Sequence, residues 1–256
     1  MAPVFDPPRP DRDQGVFETL LIIDGRPVEL DAHLARLANS LAELFPDRSA
    51  PDLKDEIERL AAGVERGSIR AVVAPGGAAA LRARVEPRAP VRGAFPPDSE
   101  GKAPRSVALR SLELGGGLGG HKWADRSLLE GIQAGLPKGA IPFILDQDGA
   151  VLEASRANVF VVNDGCLSTP PTDGRILPGI TRMRVLEIAE ATGLPVREAE
   201  LTRDDLPAAD EVFLTGSVRG IESVSSLDGT QLGSDREVSS RLAAELRRSW
   251  AGAQVG

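Results

Sequence analysis

The sequence predicts a mixed α/β (α+β) fold in two domains. Three features predict it. Amphipathic helical patterns alternate with short apolar runs, several of those runs are joined by hairpin signals, and one proline-rich stretch without any pattern, Pro90 to Arg105, interrupts the chain. The boundary placed there gives a smaller N-terminal α/β domain over 1–98 and a larger C-terminal domain over 99–256.

Taken in order, Phe17 to Ile23 is apolar and predicts a strand. Asp24-Gly25 is a hairpin turn signal, with a second strand from Pro27 to Leu30. Asp31 is placed to cap a helix from about Ala32 to Phe45, whose Leu34, Leu37, Leu41 and Leu44 recur at helical spacing. A second helix is expected from about Pro51 to Arg66. SIRAVVAP and ALRARVEP then predict two strands around a Gly-Gly turn. Beyond the proline-rich stretch, SVALRSLEL is a strand, and Trp123 to Gly135 has the spacing of an amphipathic helix. Three apolar runs between Ala140 and Pro171, broken by Gln147-Asp148-Gly149 and Asn163-Asp164-Gly165, predict an antiparallel meander. Pro178-Gly179 opens a helix that Gly193 ends. The strands PVREAEL and EVFLTG, the loop SVRG, a last hairpin and a helix from about Asp235 to Trp250 complete the chain.

Composition bounds the function. Of 256 residues, 41% are hydrophobic and 27% charged, as in globular proteins. A net charge of −8 argues against a general nucleic-acid binder, which carries a basic stripe. No run approaches the ~20 apolar residues of a membrane helix. The opening MAPVFDPPRPDRD lacks the apolar core of a secretory signal, so a cytoplasmic protein is expected. Cys166 is the one cysteine, which excludes an internal disulfide and a cysteine metal cluster, and no metal site is expected. Tyrosine is absent, and the four lysines (Lys54, Lys102, Lys122 and Lys138) stand against 26 arginines among the 30 basic residues.

The glycine run Gly115-Gly116-Gly117-Leu118-Gly119-Gly120 satisfies G-x-G-x-x-G between a strand and a helix, the pattern of a dinucleotide-binding turn. Three features oppose that reading. Asp146 lies 31 residues beyond Gly115, further than the usual ~20. Bulky His121-Lys122-Trp123 follow where the helix would approach a pyrophosphate. The next strands form hairpins, from which a parallel doubly wound sheet cannot be built. A Walker loop is excluded, because His121 separates Gly120 from Lys122 and no Ser or Thr follows.

Five further stretches give the run its context: GVFETL, HLARL (33–37), Glu153 in VLEASRANVF, LPGITR (177–182) and TGSVRG (215–220). In this order and spacing, from about Gly15 to Gly229, the chain resembles the class IV aminotransferases, the fold type IV pyridoxal-phosphate enzymes. The resemblance implies two α/β domains with pyridoxal 5'-phosphate between them, the larger C-terminal domain binding the cofactor, and a homodimer acting on a small-molecule substrate. It implies that Lys122 bonds the cofactor aldehyde and then serves as acid and base, and that Glu153 sits against the pyridine nitrogen. It further implies that Gly179, Ile180 and Thr181, at a helix start, hold the phosphate together with Gly216, Ser217 and Arg36. By periodicity alone Arg36 is a surface residue of an amphipathic helix and Lys122 a solvated lysine at a helix start. His33 is expected to be structural, and Asn158 to bond backbone or cofactor-side groups.

Within the family the aminotransferases place a tyrosine five residues after the lysine. Here that position is Ser127, and Arg126 stands four residues after Lys122. The pattern HK-x-x-x-R is similar to that of the aminodeoxychorismate lyases, especially those fused to aminodeoxychorismate synthase, although Asp125 stands where they have asparagine. The resemblance therefore implies a 4-amino-4-deoxychorismate lyase giving 4-aminobenzoate and pyruvate for folate synthesis, with Arg126 and Arg219 as cationic contacts to a dianionic substrate. Two alternatives stay open: an aminotransferase for branched-chain or D-amino acids, and a non-catalytic relative or binding module.

Overall fold

The computed structural model describes residues 9–77, 80–90 and 106–252. They form two compact units, 9–90 with 121–127 and 106–120 with 128–252. The expected boundary stretch after Pro90 lies outside the described residues, as does Lys102.

The first unit is an antiparallel sheet in the order β2-β1-β3-β4, from β1 (Val16–Ile23), β2 (Arg26–Pro27), β3 (Arg66–Gly76) and β4 (Ala80–Arg88). Asp24 and Gly25 both take positive φ, 48° and 76°, which matches the twist of a two-residue hairpin. Helices α1 (Leu30–Leu44) and α2 (Lys54–Ala61) cover one face. There Val16, Leu20 and Ile22 of β1 and Ile69, Ala71 and Val73 of β3 bury against Leu37, Leu41 and Ile57. Period-2 alternation sets this face, and Glu18 falls on it among apolar neighbours. Three boundaries differ from expectation. β2 stops at Pro27 because Glu29, at φ 54°, already turns the chain into α1. Asp31 lies inside the first turn of α1 and pairs with Lys54 at 3.0 Å instead of capping. α2 ends at Ala61, because Gly63 (φ 80°) breaks it and Arg66 already begins β3.

The larger unit is built from β5 (Ser106–Glu113), α3 (Ser127–Ala134), β6 (Ala140–Leu145), β7 (Val151–Ala154), β8 (Ala157–Asn163), β9 (Cys166–Thr169), α4 (Ile180–Ala191), β10 (Val196–Glu198), β11 (Glu211–Gly216), β12 (Gly220–Leu227), β13 (Thr230–Gln231) and α5 (Glu237–Trp250). Its sheet runs β10-β9-β8-β11-β12-β5-β6-β7, and a further β7–β8 pairing closes β8, β11, β12, β5, β6 and β7 into a ring. The meander β6-β7-β8-β9 is antiparallel, while β5 pairs parallel to both β6 and β12. Such a mixed sheet is not a doubly wound one. Leu109, Phe143, Val159, Val161, Val212, Leu214 and Val224 fill one face. On the opposite face Phe160 and Phe213, paired in register, stack with centroids 5.2 Å apart. Buried Glu211 closes the start of α5, accepting the Val238 and Ser239 amides at 2.7 and 2.9 Å, so the helix dipole is matched by a carboxylate.

The glycine run forms an ordered turn. A side chain on Gly117 (φ 63°) would place its Cβ 2.1 Å from the Arg175 carbonyl oxygen, so only glycine fits. The Gly116 amide donates to Asp146 at 3.0 Å and the Gly119 amide to the Arg175 carbonyl at 3.3 Å. An acidic side chain of the same chain thus takes one of the amides that a phosphate cradle would need. The helix expected from Trp123 begins at Ser127, whose amide and hydroxyl donate to Asp125 Oδ1 at 3.0 and 2.6 Å.

Candidate active site

In the first unit, residues 121–127 lie along the start of β1. Phe17 N–H donates to the Lys122 carbonyl at 2.8 Å, Val16 bridges to Trp123, and the Ala124 amide donates to the Gly15 carbonyl at 2.9 Å. Gly15 (φ 76°) is required at this crossing, since a Cβ there would lie 2.0 Å from the Val73 carbonyl oxygen. His121 contacts Ser40 through Nδ1 at 3.1 Å and Glu43 through Nε2 at 3.3 Å. Lys122 is therefore half-buried and extended, its Nζ 5.0 Å from the centroid of the Phe17 ring, and is not the helix-start lysine that local pattern suggests. Arg70 stacks on the same ring at 3.8 Å. Arg126 is half-buried in this strap.

Arg36 is buried, against its periodicity. Its Nε and Nη2 donate to the two oxygens of Glu18 at 2.8 and 2.7 Å, and His33 Nδ1 meets Glu18 Oε2 at 2.7 Å. A fork on a carboxylate fixes the plane of the guanidinium. Burial alone would push the Glu18 carboxyl up. The Arg36 charge and the His33 hydrogen bond overcome this and hold it at about 2. Burial also holds His33 below its ordinary 6.5, against the pull of Glu18. His33 is thus neutral at pH 7 and donates to Glu18, a structural part as expected.

These shifts set an acid dependence. Below about pH 6.5 the unfolded chain takes a proton that folded His33 refuses. Below about 4.5 it takes another that folded Glu18 refuses until about 2. Both favour the unfolded chain as pH falls. The urea midpoint should fall continuously from pH 7 to pH 4, and Glu18→Gln, though less stable at pH 7, should show a shallower fall. Parallel profiles for the two proteins would contradict this.

In the larger unit, strand register sets a row of side chains across one face. Ile144 pairs with Glu153, Glu153 with Asn158, Asn158 with Thr215 and Thr215 with Ile221. Glu153 is 5% exposed and accepts from the Leu177 amide and Asn158 Nδ2 at 3.4 Å. Asn158 Nδ2 also donates to the Leu177 carbonyl at 2.9 Å. Asn158 packs on the start of α4 so closely that a Cβ on Gly179 would lie 1.9 Å from its Oδ1. No side chain caps Gly179, so the opening amides of α4, those of Ile180 and Thr181 among them, have no acceptor within the helix. Gly216 ends β11, and half-buried Ser217 and Arg219 follow in the turn to β12. The structure thus gathers Glu153, Gly179, Ile180, Thr181, Gly216 and Ser217 in this unit with Arg219, and Arg36, Lys122 and Arg126 in the other. Glu18 and Thr215 were missed by the sequence reading. An acid inside VFETLLII was the available signal for Glu18, since a buried carboxylate needs a partner.

The profile of the class IV amino-transferases matches residues 15–227, and the chain belongs to that family. The family is one of pyridoxal-phosphate enzymes. The branched-chain-amino-acid aminotransferase of Escherichia coli (strain K12) is 45% identical over 92 residues, 36% of this chain, and the match spans 30% of that relative. The D-alanine aminotransferase of Bacillus licheniformis is 32% identical over 244 residues, covering 86% of this chain and 81% of that one. Among solved structures, the 4-amino-4-deoxychorismate lyase of Pseudomonas aeruginosa superposes with a TM-score of 0.76 at 27% identity, covering 92% and 90% of the two chains. A pyridoxal-phosphate-bound hypothetical aminotransferase from Mycobacterium tuberculosis shares the fold, with a TM-score of 0.78 at 24% identity over 98% and 96%.

The residues present fit the cofactor's phosphate. Among the described residues, the Thr181 and Thr215 hydroxyls are buried without a hydrogen-bond partner. Thr181 is the second residue of α4 and Thr215 adjoins Gly216. Orphaned hydroxyls beside open helix amides suit an anion with several acceptor oxygens.

Proposed function

We propose that this chain is a pyridoxal-phosphate-dependent 4-amino-4-deoxychorismate lyase that releases 4-aminobenzoate and pyruvate. The observation that carries the reading is the pattern at the lysine: Arg126 four residues after Lys122, Ser127 in the aminotransferases' tyrosine position, and no tyrosine anywhere. The likeness to the Pseudomonas aeruginosa lyase supports it. Bound there, pyridoxal phosphate would supply an aldehyde for amines and a ring that withdraws electrons from the carbon bearing the amine.

The chain's own residues have these tasks. Lys122 would hold the cofactor through its aldehyde, and its freed amine would take the proton from the carbon bearing the substrate amine. Glu153 holds a proton on the ring nitrogen. The α4 amides at Gly179, Ile180 and Thr181, the Thr181 hydroxyl, Gly216, Ser217 and Arg36 bind the phosphate. Arg126 and Arg219 attract the substrate's carboxylates. With that proton on Lys122, the neighbouring C–O bond would break, the enolpyruvyl group would leave as the enolate of pyruvate and take up a proton, and the substrate ring would become aromatic, so no oxo-acid is consumed. The family resemblance also supports a homodimer.

The D-alanine aminotransferase match over 86% of the chain favours a second reading, transfer of an amino group to an oxo-acid. Aminodeoxychorismate supplied without any oxo-acid should give 4-aminobenzoate and pyruvate in equal amounts. If it is untouched while D-alanine or a branched-chain amino acid with 2-oxoglutarate yields glutamate at ~1 s⁻¹ or more, the aminotransferase reading replaces it.

A further inference from the structure

The connection from β9 to α4, residues 170–179, is tied down along its length. Midway, the Arg175 side chain meets Asp146, Asp173 and Glu200 at 3.2, 2.6 and 2.9 Å, and its carbonyl accepts the Gly119 amide of the glycine turn. Near the end, Asn158 donates to the Leu177 carbonyl. The beginning is held by the helix to which the connection leads. Arg182, in the first turn of α4, reaches back twelve positions, and its Nη2 donates to the Pro170 carbonyl at 2.8 Å and to Glu198 Oε2 of β10 at 2.7 Å. Glu198 pairs with Thr169 across β10 and β9, so the two acceptors lie side by side.

An arginine at this place works against stability in two ways. Its side chain is 6% exposed, and among the described residues its Nε is buried without a hydrogen-bond partner. A buried guanidinium that is incompletely bonded is unfavourable, and an apolar side chain of similar volume often serves stability as well. A cation in the first turn of a helix also opposes the helix dipole, and α4 has no acid in that turn to offset it. The answering carboxylate, Glu198, comes from a strand. What an apolar residue lacks is the ability to bond Pro170 and Glu198 together. The effect is geometric: the first turn of α4 is fixed to the strand ends. That turn carries the open amides and the buried Thr181 hydroxyl that fit the cofactor's phosphate.

We propose that Arg182 is a positioning residue for phosphate binding: bonded to the Pro170 carbonyl and to Glu198, it holds the opening turn of α4 and the Thr181 hydroxyl in the arrangement that receives the phosphate. The inference rests on the reading that the start of α4 binds that phosphate, and it gives Arg182 and Glu198 a role in cofactor selection without contact to the cofactor.

The test compares pyridoxal phosphate with pyridoxal, which share the ring and the aldehyde and differ in the phosphate. Each is titrated into the full-length protein freed of cofactor, and binding is followed by quenching of tryptophan fluorescence. The wild-type protein should favour pyridoxal phosphate by at least ~100-fold. Arg182→Met should reduce that ratio by ~10-fold or more, through pyridoxal phosphate affinity alone, and Arg182→Lys, which keeps the charge and a donor, should restore part of it. Glu198→Ala removes an exposed side chain and leaves the helix and its arginine in place, so it reports even where Arg182→Met does not fold; it should reduce the ratio by ~3-fold or more. A purely structural role would weaken both ligands alike. A ratio that stays at the wild-type value in folded Arg182→Met, or in Glu198→Ala, therefore overturns the inference and leaves the phosphate reading standing. A wild-type protein that binds the two ligands equally removes the phosphate reading itself, and the inference with it.

Discussion

Lys122→Ala is expected to abolish turnover and the absorbance of bound pyridoxal phosphate near ~410–420 nm, the range expected of a lysine-bound cofactor, while leaving the fold intact. The segment is held through its main chain, by the Phe17 amide at 2.8 Å and the Val16–Trp123 bridge, so removing the side chain leaves those bonds in place. Competing lysines are poorly suited. Lys54 is ion-paired with Asp31, and that hydrogen bond raises its pKa, which keeps it a protonated, non-nucleophilic ammonium. Lys138 is exposed in a turn. Borohydride reduction followed by digestion should place the pyridoxyl adduct on the peptide that contains Lys122. An adduct on Lys54, Lys102 or Lys138 instead would remove the basis of the proposed chemistry.

Glu153→Gln is expected to bind the cofactor and to lose most activity. The carboxylate is buried on the same face as Asn158 and within reach of the Leu177 amide, so an amide of equal size keeps the packing and loses the charge. On the proposed role of Glu153, the ring nitrogen would then no longer be held protonated and electron withdrawal would weaken. Loss of one such electrostatic contribution costs ~2.7–4 kcal/mol of barrier, or ~10²–10³ in rate. The decisive comparison is kcat beside cofactor affinity: a variant with wild-type kcat would show that Glu153 does not serve the ring.

Much of the fold was legible because its signals are local. Asp24-Gly25 and Asn163-Asp164-Gly165 each predict a turn between strands, and Asp24 and Asp164 both take the positive φ that such turns require. The meander after Ala140 follows from those turns and from apolar runs of strand length, and α4 from Pro178-Gly179 ahead of it. What was not legible is non-local. The pairing of Trp123 with Val16 spans more than a hundred residues, and no local pattern marks it; helical spacing there suggested a helix that starts only at Ser127. Arg36 looked exposed because periodicity sees one helix at a time. It is buried because Glu18, on a strand, faces it. Likewise Arg156 and Glu222 lie 66 positions apart, and only the sheet makes them partners. The roles given to Lys122, Glu153 and the phosphate residues came from the order of motifs, a different kind of signal from patterning.

The route of residues 121–127 has a consequence for dissecting the gene. A cut in the stretch after Pro90 looks like the natural place to separate two modules, yet the upstream fragment would lack the strap that bonds Val16, Phe17 and the Gly15 carbonyl. The downstream fragment would carry that strap, with Trp123 stripped of the apolar cluster it packs against. The chain is therefore interleaved rather than modular. A single crossover after Ser127 would keep the heptapeptide with the N-terminal piece, but it would also take β5 and the glycine run away from the larger unit to which they belong.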